Sequence, residues 1–498
     1  MPRSIAPCQR VAALSTRPGM HSFGPLPGSR EDASPQGVSM KRFTLLSALA
    51  VLLACGDEPT SLVDGPDGPQ HSVLAATPGN LVGICDGLFG DVFGVPNDEP
   101  LGPCQWDMSL INATDDGGSY TVATGQGVTV GVIDSGVDLT HPDIQPNLDL
   151  DQSCSFIFDD TPTADPSEVG NGDCSNKAAV QDLAGHGTHV ASTIAAPING
   201  VGIAGVAPEA TLVALKACTI VGYCFADAVA AALRYAGDIG LDIVNLSLFA
   251  DPYLYYCKSE PEQRAILTEL ESAARYAQQK GVLIVAAAGN QATDLQHPIR
   301  DAISPDWPPG SAEEREVKNN CRVAPAELPG VMTVSATGPL GYPGYALGIA
   351  DYSSVGMSRV DVAAPGGDFF RATGTVQDGV LGAMPIGSDI WGFYNFLEEN
   401  AFPGLTVIDQ GAGYAYLNGT SMASPHAAGV AALVKEAHPK WGPGAVKAAV
   451  QASAQQVECP ADWEPLGSGD ERERCYGGGG RTSFFGHGLV DALAAAQR

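Results

Sequence analysis

Three residues far apart in the sequence carry side chains that together could cleave an acyl bond. Asp134 follows an apolar run, His186 lies in the segment Gly-His-Gly-Thr-His, and Ser421 lies in Asn-Gly-Thr-Ser-Met-Ala-Ser-Pro. A serine hydroxyl is a weak nucleophile near neutral pH, and an imidazole, which titrates near neutrality, can take its proton. A carboxylate can orient the imidazole and stabilise its cation. The three residue types predict nucleophilic catalysis by Ser421, with His186 as base and Asp134 as its partner.

An oxyanion formed during such a reaction needs hydrogen-bond donors, and the sequence predicts two of them. Ser421 opens an apolar helical segment, so the free N–H groups and dipole of the helix N-terminus favour the developing charge. Asn290 follows the apolar strand Val282–Ala287, and its amide can be a second donor. Pro425 lacks an N–H, so a carbonyl near Ser421 loses its helical partner.

Each of these residues alone also has an ordinary structural explanation. An aspartate after a strand can be a turn residue, and a serine at a helix start can be an N-cap. The joint pattern, with Asn290 present, favours catalysis. We expect His141, His189 and His426 to be structural, and a metallopeptidase is not supported because the His-Glu-x-x-His arrangement is missing.

The surrounding segments alternate between short apolar runs and amphipathic or alanine-rich stretches of helical length. Strands are predicted at Val128–Ile133, Leu212–Leu215, Ile243–Leu248, Val282–Ala287, Val331–Ser335 and Val360–Ala363. Helices are predicted at Val190–Ala196, Ala226–Ile239, Glu262–Gln279, Ser421–His438 and Gly444–Ala454. This alternation predicts an α/β fold with a doubly wound, mostly parallel sheet and helices on both faces. Ligands bind at the carboxyl ends of such strands, where Asp134 and Asn290 are placed.

The segments around Asp134, His186 and Ser421 resemble the three signatures of the subtilisin-like serine protease family (the subtilases), in the order Asp, His, Ser. The resemblance covers roughly residues 98–498. It implies a subtilisin-like fold, a secreted serine endopeptidase that acts on polypeptides, and Asn290 as an oxyanion-hole residue. An amide at this position, rather than a carboxylic acid, distinguishes the chain from the acid-active sedolisins.

The same resemblance implies a cleft in which an extended peptide pairs with a strand edge. The matching positions are Ser247, Leu248, Phe249 and Gly289. Phe249 stands where a glycine is usual, so we expect it to crowd or reshape one side of the cleft. Two insertions, from Asn290 to about Cys321 and at about 367–416, leave specificity open. A general protease, a narrow processing peptidase and an inactive polypeptide-binding protein remain alternatives.

The resemblance also implies a structural calcium ion. Asp143 matches a calcium-binding carboxylate of the family, and the loop from Ala196 to Ile203 matches its calcium loop. The implied ligands are Asp143, Pro197, Asn199, Val201 and Ile203, largely through carbonyl oxygens. A ligand from the N-terminal segment is also needed and is not identified, and an ordinary turn is the alternative at both places.

The N-terminal region has the features of an export signal. Residues 1–39 lack periodicity and are expected to be untranslated or disordered, with Met40 as the initiator. Residues 40–55 resemble a bacterial lipoprotein signal peptide, in which Cys55 becomes lipidated and anchors the protein to a membrane. The alternative is plain secretion, into the periplasm or the medium. Residues 56–97 are predicted to be a flexible tether and part of a strap bracketed by Cys85 and Cys104, followed by the catalytic domain at 98–498, without a propeptide of the usual kind.

Charge and cysteine content agree with export. The formal net charge is −30 and the pI is about 4.4, which argues against a nucleic-acid partner; we expect a monomer. Apart from Cys8 and Cys55 there are ten cysteines, an even number that suggests disulfides in an exported chain. Pairing in sequence order would give 85–104, 154–174, 218–224, 257–321 and 459–475, although other connectivities remain open.

Overall fold

The computed structural model describes residues 78–345, 348–461, 472 and 474–498. The chain divides into two units, Met1–Ser47 and Ala48–Arg498, and all described residues belong to the second. The predicted extension at 1–39, the signal peptide at 40–55 with Cys55, and the tether up to residue 77 lie outside the described residues. In the part of the chain that is described, no helix is both long enough and apolar enough to cross a membrane.

The described residues form fourteen strands. In chain order they are β1 Thr129–Asp134, β2 Cys154–Ser155, β3 Thr211–Lys216, β4 Ile243–Leu246, β5 Tyr255–Cys257, β6 Leu283–Ala287, β7 Arg300–Asp301, β8 Arg315–Glu316, β9 Cys321–Val323, β10 Met332–Thr337, β11 Val362–Pro365, β12 Val380–Met384, β13 Thr406–Asp409 and β14 Ala412–Leu417. Seven of them form one sheet, in the order β11-β10-β6-β4-β1-β3-β2. Every pairing in this sheet is parallel.

The α-helices, in chain order, are α1 Pro78–Cys85, α2 Asp91–Phe93, α3 Trp106–Leu110, α4 His186–Ala195, α5 Ala226–Ile239, α6 Pro261–Gln279, α7 Asp389–Asn400, α8 Thr420–Ala437, α9 Pro443–Ser453 and α10 Ala492–Ala496. A π-helical segment, Asp86–Gly90, joins α1 to α2. Short 3₁₀ turns lie at Gly102–Cys104, Ser119–Thr121, Gln145–Asn147, Lys177–Val180 and Val376–Asp378.

Helices cover both faces of the parallel sheet, because successive side chains of a buried strand point to opposite faces. Val130 and Val132 of β1 belong to the apolar cluster that contains the inward residues of α4 and α8. Ile133 belongs to a second cluster, with the inward residues of α5 and α6. The predicted doubly wound, mostly parallel architecture is confirmed.

The two insertions build small antiparallel elements outside the main sheet. In the second, β12, β14 and β13 form a three-stranded sheet, in which Met384 pairs with Gly413 and Val380 with Leu417. The first contains β7 and β8, and beside it β5 pairs with β9. The strand predicted at Ile243–Leu248 is shorter than expected and ends at Leu246, so Ser247 and Leu248 follow the strand rather than lie in it.

The disulfides pair the ten cysteines in sequence order, as expected. The bonds are Cys85–Cys104, Cys154–Cys174, Cys218–Cys224, Cys257–Cys321 and Cys459–Cys475. The first bond holds α1 to the body, and Leu81 and Phe89 are fully buried there. The prediction of a flexible tether is therefore wrong for the described residues from Pro78 onward, which begin with a helix. Burial of these apolar side chains stabilises a packed helical segment there.

Candidate active site

Asp134 and His186 meet at the carboxyl end of β1. His186 is the first residue of α4, and its Nδ1 lies 2.8 Å from Asp134 Oδ1. The carboxylate of Asp134 is 1% exposed and also accepts a hydrogen bond from the backbone N–H of Ser135 at 2.7 Å. An ionised carboxylate can only accept, so Nδ1 of a neutral imidazole carries the proton and Nε2 carries the lone pair. This is the tautomer that a general base requires.

The close approach of α4 to β1 depends on glycine at position 187. A Cβ atom on Gly187 would lie 2.1 Å from the carbonyl oxygen of Gly136 and 3.2 Å from Asp134 Cβ. Any larger residue would therefore force the first turn of α4 away from Asp134. The backbone N–H of Gly187 instead donates to Ser135 Oγ at 2.9 Å, which fixes the helix start beside the strand end.

Asp182, which the sequence interpretation missed, holds this junction together. Its fully buried carboxylate accepts from Ser135 Oγ at 2.9 Å, from Gly185 N at 2.8 Å and from Thr188 N at 2.9 Å. Burial raises the pKa of this carboxyl, while the Lys216 ammonium and the hydrogen bonds oppose that shift. An acidic residue a few positions before a helix start is the available signal, since such side chains satisfy free N–H groups.

Ser421 is the second residue of α8 and is 4% exposed. Its hydroxyl donates to the carbonyl of Ser247 at 3.2 Å. In the other direction, Ser247 Oγ donates to the carbonyl of Ser421 at 2.7 Å. That carbonyl is the acceptor that Pro425, four residues later, leaves without an intrahelical donor. The predicted loss is therefore compensated by a side chain from the segment that follows β4.

The two expected oxyanion donors face a common space. Thr420 donates from both its backbone N–H and its hydroxyl to Asn290 Oδ1, each at 2.8 Å, so the amide nitrogen of Asn290 points the other way. A Cβ built on Gly419 would lie 3.5 Å from Asn290 Nδ2 and 3.6 Å from Ser421 N. The adjacent Gly289 N donates to Thr420 Oγ1 at 3.1 Å, which ties the end of β6 to the start of α8.

The predicted cleft residues differ in their surroundings. Ser247 is buried and hydrogen-bonded to Ser421, and Gly289 donates to Thr420, so both lie at the start of α8. Leu248 packs against the cluster shared with α5 and α6, and half-buried Phe249 packs against the cluster that includes Cys257 and Cys321. That Phe249 crowds the cleft stays a prediction.

The other histidines of the motifs are buried and hydrogen-bonded away from the catalytic pair. His189 donates from Nε2 to the backbone carbonyls of Val380 in β12 and Ala415 in β14, and burial lowers its pKa to about 3. His426 lies between the carbonyl of Met422 and Asp107 Oδ2, at 2.8 and 2.9 Å. His141 bonds to a backbone carbonyl of β14, and burial lowers its pKa. These contacts are those of structural side chains.

The residues predicted to bind calcium lie together, because Asp143 is hydrogen-bonded to the loop that contains the other four. Asp143 Oδ1 accepts from Asn199 Nδ2 at 3.3 Å, and its Oδ2 accepts from Ile203 N at 3.2 Å. Val201 donates its N–H to Asn199 Oδ1 at 2.9 Å, and Pro197 lies buried at the start of the loop. Within the described residues, no three His, Cys, Asp or Glu side chains form a metal-binding group, so a cation there would depend largely on carbonyl oxygens.

Glu99 supplies an N-terminal carboxylate at this loop that the sequence did not identify. The residue is 4% exposed, and its Oε1 accepts from Gly200 N at 3.1 Å. Its Oε2 is buried and accepts no hydrogen bond from any described residue. Burial raises the pKa of Glu99, and it raises that of Asp143 to about 7. A buried oxygen without a proton donor, next to a second carboxylate, fits a divalent cation.

Comparisons with known proteins agree with this geometry. The model of the subtilase family (Peptidase_S8) matches residues 125–488. Subtilisin BL of Lederbergia lenta is 30% identical over 375 residues, which cover 75% of this chain and 92% of that protein. M-protease of Shouchella clausii is also 30% identical over 375 residues, but this match spans only 65% of its length.

A solved structure has the same architecture. Fervidolysin from Fervidobacterium pennivorans, described as a keratinolytic enzyme related to subtilisin, is 26% identical to this chain, with a TM-score of 0.52. The match covers 80% of this chain and 46% of fervidolysin. The family match over most of the chain, together with the parallel sheet, leads to one assignment. The chain belongs to the subtilase family of subtilisin-type serine endopeptidases.

Proposed function

We propose that this protein is an exported serine endopeptidase that cleaves polypeptides with Ser421 as nucleophile, His186 as general base and acid, and Asp134 as the orienting carboxylate. The observation that carries the proposal is the 2.8 Å contact between His186 Nδ1 and Asp134 Oδ1 at the end of β1. The convergence of Asn290 Nδ2 and Ser421 N beside Gly419 supports it.

In acylation, His186 Nε2 takes the proton from Ser421 Oγ as this oxygen attacks the substrate carbonyl carbon. Asp134 keeps the imidazolium in place, and it already has a fixed orientation through Ser135 N. The carbonyl oxygen becomes an oxyanion, which Asn290 Nδ2 and Ser421 N stabilise as donors. His186 then protonates the leaving amine, which frees the carboxyl-side product. In deacylation, a water molecule repeats these steps in place of Ser421.

The direct test is covalent labelling with a fluorophosphonate, which reacts with an activated serine. The wild-type protein should be labelled on the peptide that contains Ser421, and Ser421→Ala should not be labelled. Ser167→Ala is a matched control, because this exposed hydroxyl only contacts Asp165. Correctly folded wild-type protein that takes up no label, or a Ser421→Ala variant that is still labelled, would contradict the proposal.

Export is supported by the five disulfides, which persist in an oxidising compartment. A membrane anchor through lipidated Cys55 is the finer part of this proposal. Phase separation in a non-ionic detergent tests it, because a lipidated protein enters the detergent phase. Wild-type protein should partition there and Cys55→Ser should not; wild-type protein in the aqueous phase would instead indicate plain secretion.

Structural calcium at the loop beside Glu99 is the last part. Asp143 and Glu99 would supply carboxylate oxygens, and the segment containing Pro197, Asn199, Val201 and Ile203 would supply carbonyl and amide oxygens. A bound cation would join this loop, which continues α4 and therefore follows His186, to the N-terminal segment. Such an ion would contribute rigidity and would take no part in bond cleavage.

A further inference from the structure

The second insertion reaches the residue that precedes the catalytic histidine. Gly185 has φ +86° and immediately precedes His186. A Cβ atom built on Gly185 would lie 2.7 Å from Met384 Cε and 3.5 Å from Ile390 Cγ2. The end of β12 and the first turn of α7 are therefore packed directly against the start of α4.

The contacts with Gly185 define an apolar cluster next to His186, which we call the leaving-group wall: Ile386 and Ile390, which are accessible to solvent, and Met384, which is fully buried. Ile386 is 41% exposed, and Ile390 is half-buried against the main apolar cluster. Ile386 also approaches Gly413, the cross-strand partner of Met384, since a Cβ there would lie 2.6 Å from Ile386 Cγ1. The wall thus lies near the paired ends of β12 and β14.

The charge of this region restricts what it can bind. Residues 372–434 contain no lysine or arginine, whereas Glu398 and Glu399 lie at the far end of α7. The whole chain has a formal net charge of −30. An acidic side chain would find no cationic partner from this segment and would be repelled by its carboxylates. An apolar side chain would instead lose its contact with water against Ile386 and Ile390.

The position of the wall relative to the chemistry indicates which part of a substrate reaches it. His186 must deliver a proton to the leaving amine, so the product on the carboxyl side of the cleaved bond departs past this side chain. A wall beside His186 therefore flanks the leaving half.

We propose that the leaving-group wall binds an apolar side chain among the first two residues on the carboxyl side of the cleaved bond, and so determines specificity there. This inference rests on the proposed endopeptidase function. Side chains of an extended peptide alternate between two faces, so one of these two residues points toward the wall. The insertion thereby adds a side-chain preference on the carboxyl side of the cleaved bond.

The test uses peptides with identical residues before the cleaved bond and Leu, Gly or Glu in turn at the first two positions after it. Wild-type enzyme should cleave the best Leu peptide with a kcat/KM about 10-fold above that of its Gly counterpart, and the Glu peptides should be slowest. Ile390→Ala should lower the Leu-to-Gly ratio to about threefold or less. Because the ratio is taken within one variant, a general loss of activity cancels.

Phe396→Ala is the matched control. Phe396 is an apolar residue of the same helix with 46% exposure, and it lies six residues, or about 9 Å along the axis, beyond Ile390. Its variant should keep the wild-type ratio. Equal ratios for Leu and Gly in the wild type, or the same decrease in Phe396→Ala as in Ile390→Ala, would overturn the inference.

A gain of function provides a second test that misfolding cannot imitate. Ile386→Arg places a cation on the exposed part of the wall and should raise the kcat/KM of a Glu peptide relative to its Leu counterpart by about 10-fold. No change in that ratio would contradict the wall. A failure of the proposed function is distinguishable, since then no peptide would be cleaved and no fluorophosphonate would label the wild type.

Discussion

The hydroxyl of Ser247 donates a 2.7 Å hydrogen bond to the backbone carbonyl of Ser421. This carbonyl lacks a helical donor because Pro425 has no N–H. Ser421 returns a bond from its own hydroxyl to the carbonyl of Ser247 at 3.2 Å. Ser421, the proposed nucleophile, and the segment expected to hold the substrate are thus joined by two hydrogen bonds, so a substitution at one should affect the position of the other.

Ser247→Ala should therefore lower both stability and activity. The buried carbonyl of Ser421 would lose its side-chain donor, at a cost of about 1–3 kcal/mol in the free energy of unfolding. Denaturant unfolding measures this cost, and kcat/KM should fall in parallel because the helix start moves. Ser167→Ala, at an exposed site, should change neither quantity. An unaltered free energy of unfolding in Ser247→Ala would show that another donor replaces the hydroxyl.

Asp134→Asn should reduce kcat by about 10⁴-fold, the loss known for this change in a serine protease triad. An amide can donate to His186 Nδ1, which favours the tautomer with the proton on Nε2 and removes the base. Steady-state kinetics measures the effect, while the unfolding midpoint should change far less than activity. A loss below about 10-fold would show that Asp134 does not set the tautomer.

Asn290→Ala should lower kcat by about 100- to 1,000-fold with a smaller change in KM. This magnitude is the one known for removal of the corresponding amide donor from subtilisin. A separate variant, Thr420→Val, removes the hydroxyl donor to Asn290 Oδ1 but keeps the backbone donor. It should cause a smaller loss, because the amide is only partly released. Equal losses in both variants would show that the role of Asn290 is mainly structural.

The stability of the metal-free protein should depend on pH through Asp143. Burial raises the pKa of its carboxyl in the folded protein to about 7, from an ordinary value of 3.8. The folded state then binds the proton more tightly than the unfolded state. The stability that this proton adds is therefore complete below about pH 4, and it is lost as the pH rises to about 7. Thermal unfolding in a chelator, from pH 4 to 8, measures this decrease.

Calcium should reverse that decrease, because it binds the ionised carboxylate. Added calcium should raise Tm more at pH 8 than at pH 5, and Asp143→Asn should abolish the difference. Glu99→Gln, which keeps the size of the side chain, should weaken the calcium effect. A Tm that calcium leaves unchanged at pH 8 would exclude the ion from this loop.

Much of the fold could be predicted because periodic burial leaves a direct mark on sequence. Helix α5 has the predicted bounds, Ala226–Ile239, and the end of β1 places Asp134 as expected. Ala- and Val-rich stretches signal buried faces without any knowledge of their partners. The catalytic residues are predicted from their chemistry and their motifs instead, and the structure places Asp134 at the end of β1 and both His186 and Ser421 in the first turn of a helix.

The contacts that were missed join residues whose proximity leaves no periodic pattern. Glu99 meets Gly200 across 101 positions, and Asp182 meets Ser135 across 47. The glycines and prolines before Cys85 predict a tether, yet the burial of Leu81 and the bond from Cys85 to Cys104 outweigh the weak helix propensity of α1. These contacts form only when distant segments of the chain pack together, so the local sequence does not predict them.

The pairing of β12 with β14 has a consequence for how this enzyme could acquire new substrates. The chain leaves the body through β12 and returns through β14, and Val380 pairs with Leu417 at the base, four residues before Ser421. Everything beyond that base, including the leaving-group wall, is one contiguous cassette with both ends fixed side by side. An exchanged cassette could alter which peptides are accepted only if it kept the packing of Met384 and Ile390 on Gly185, because these contacts lie directly before His186.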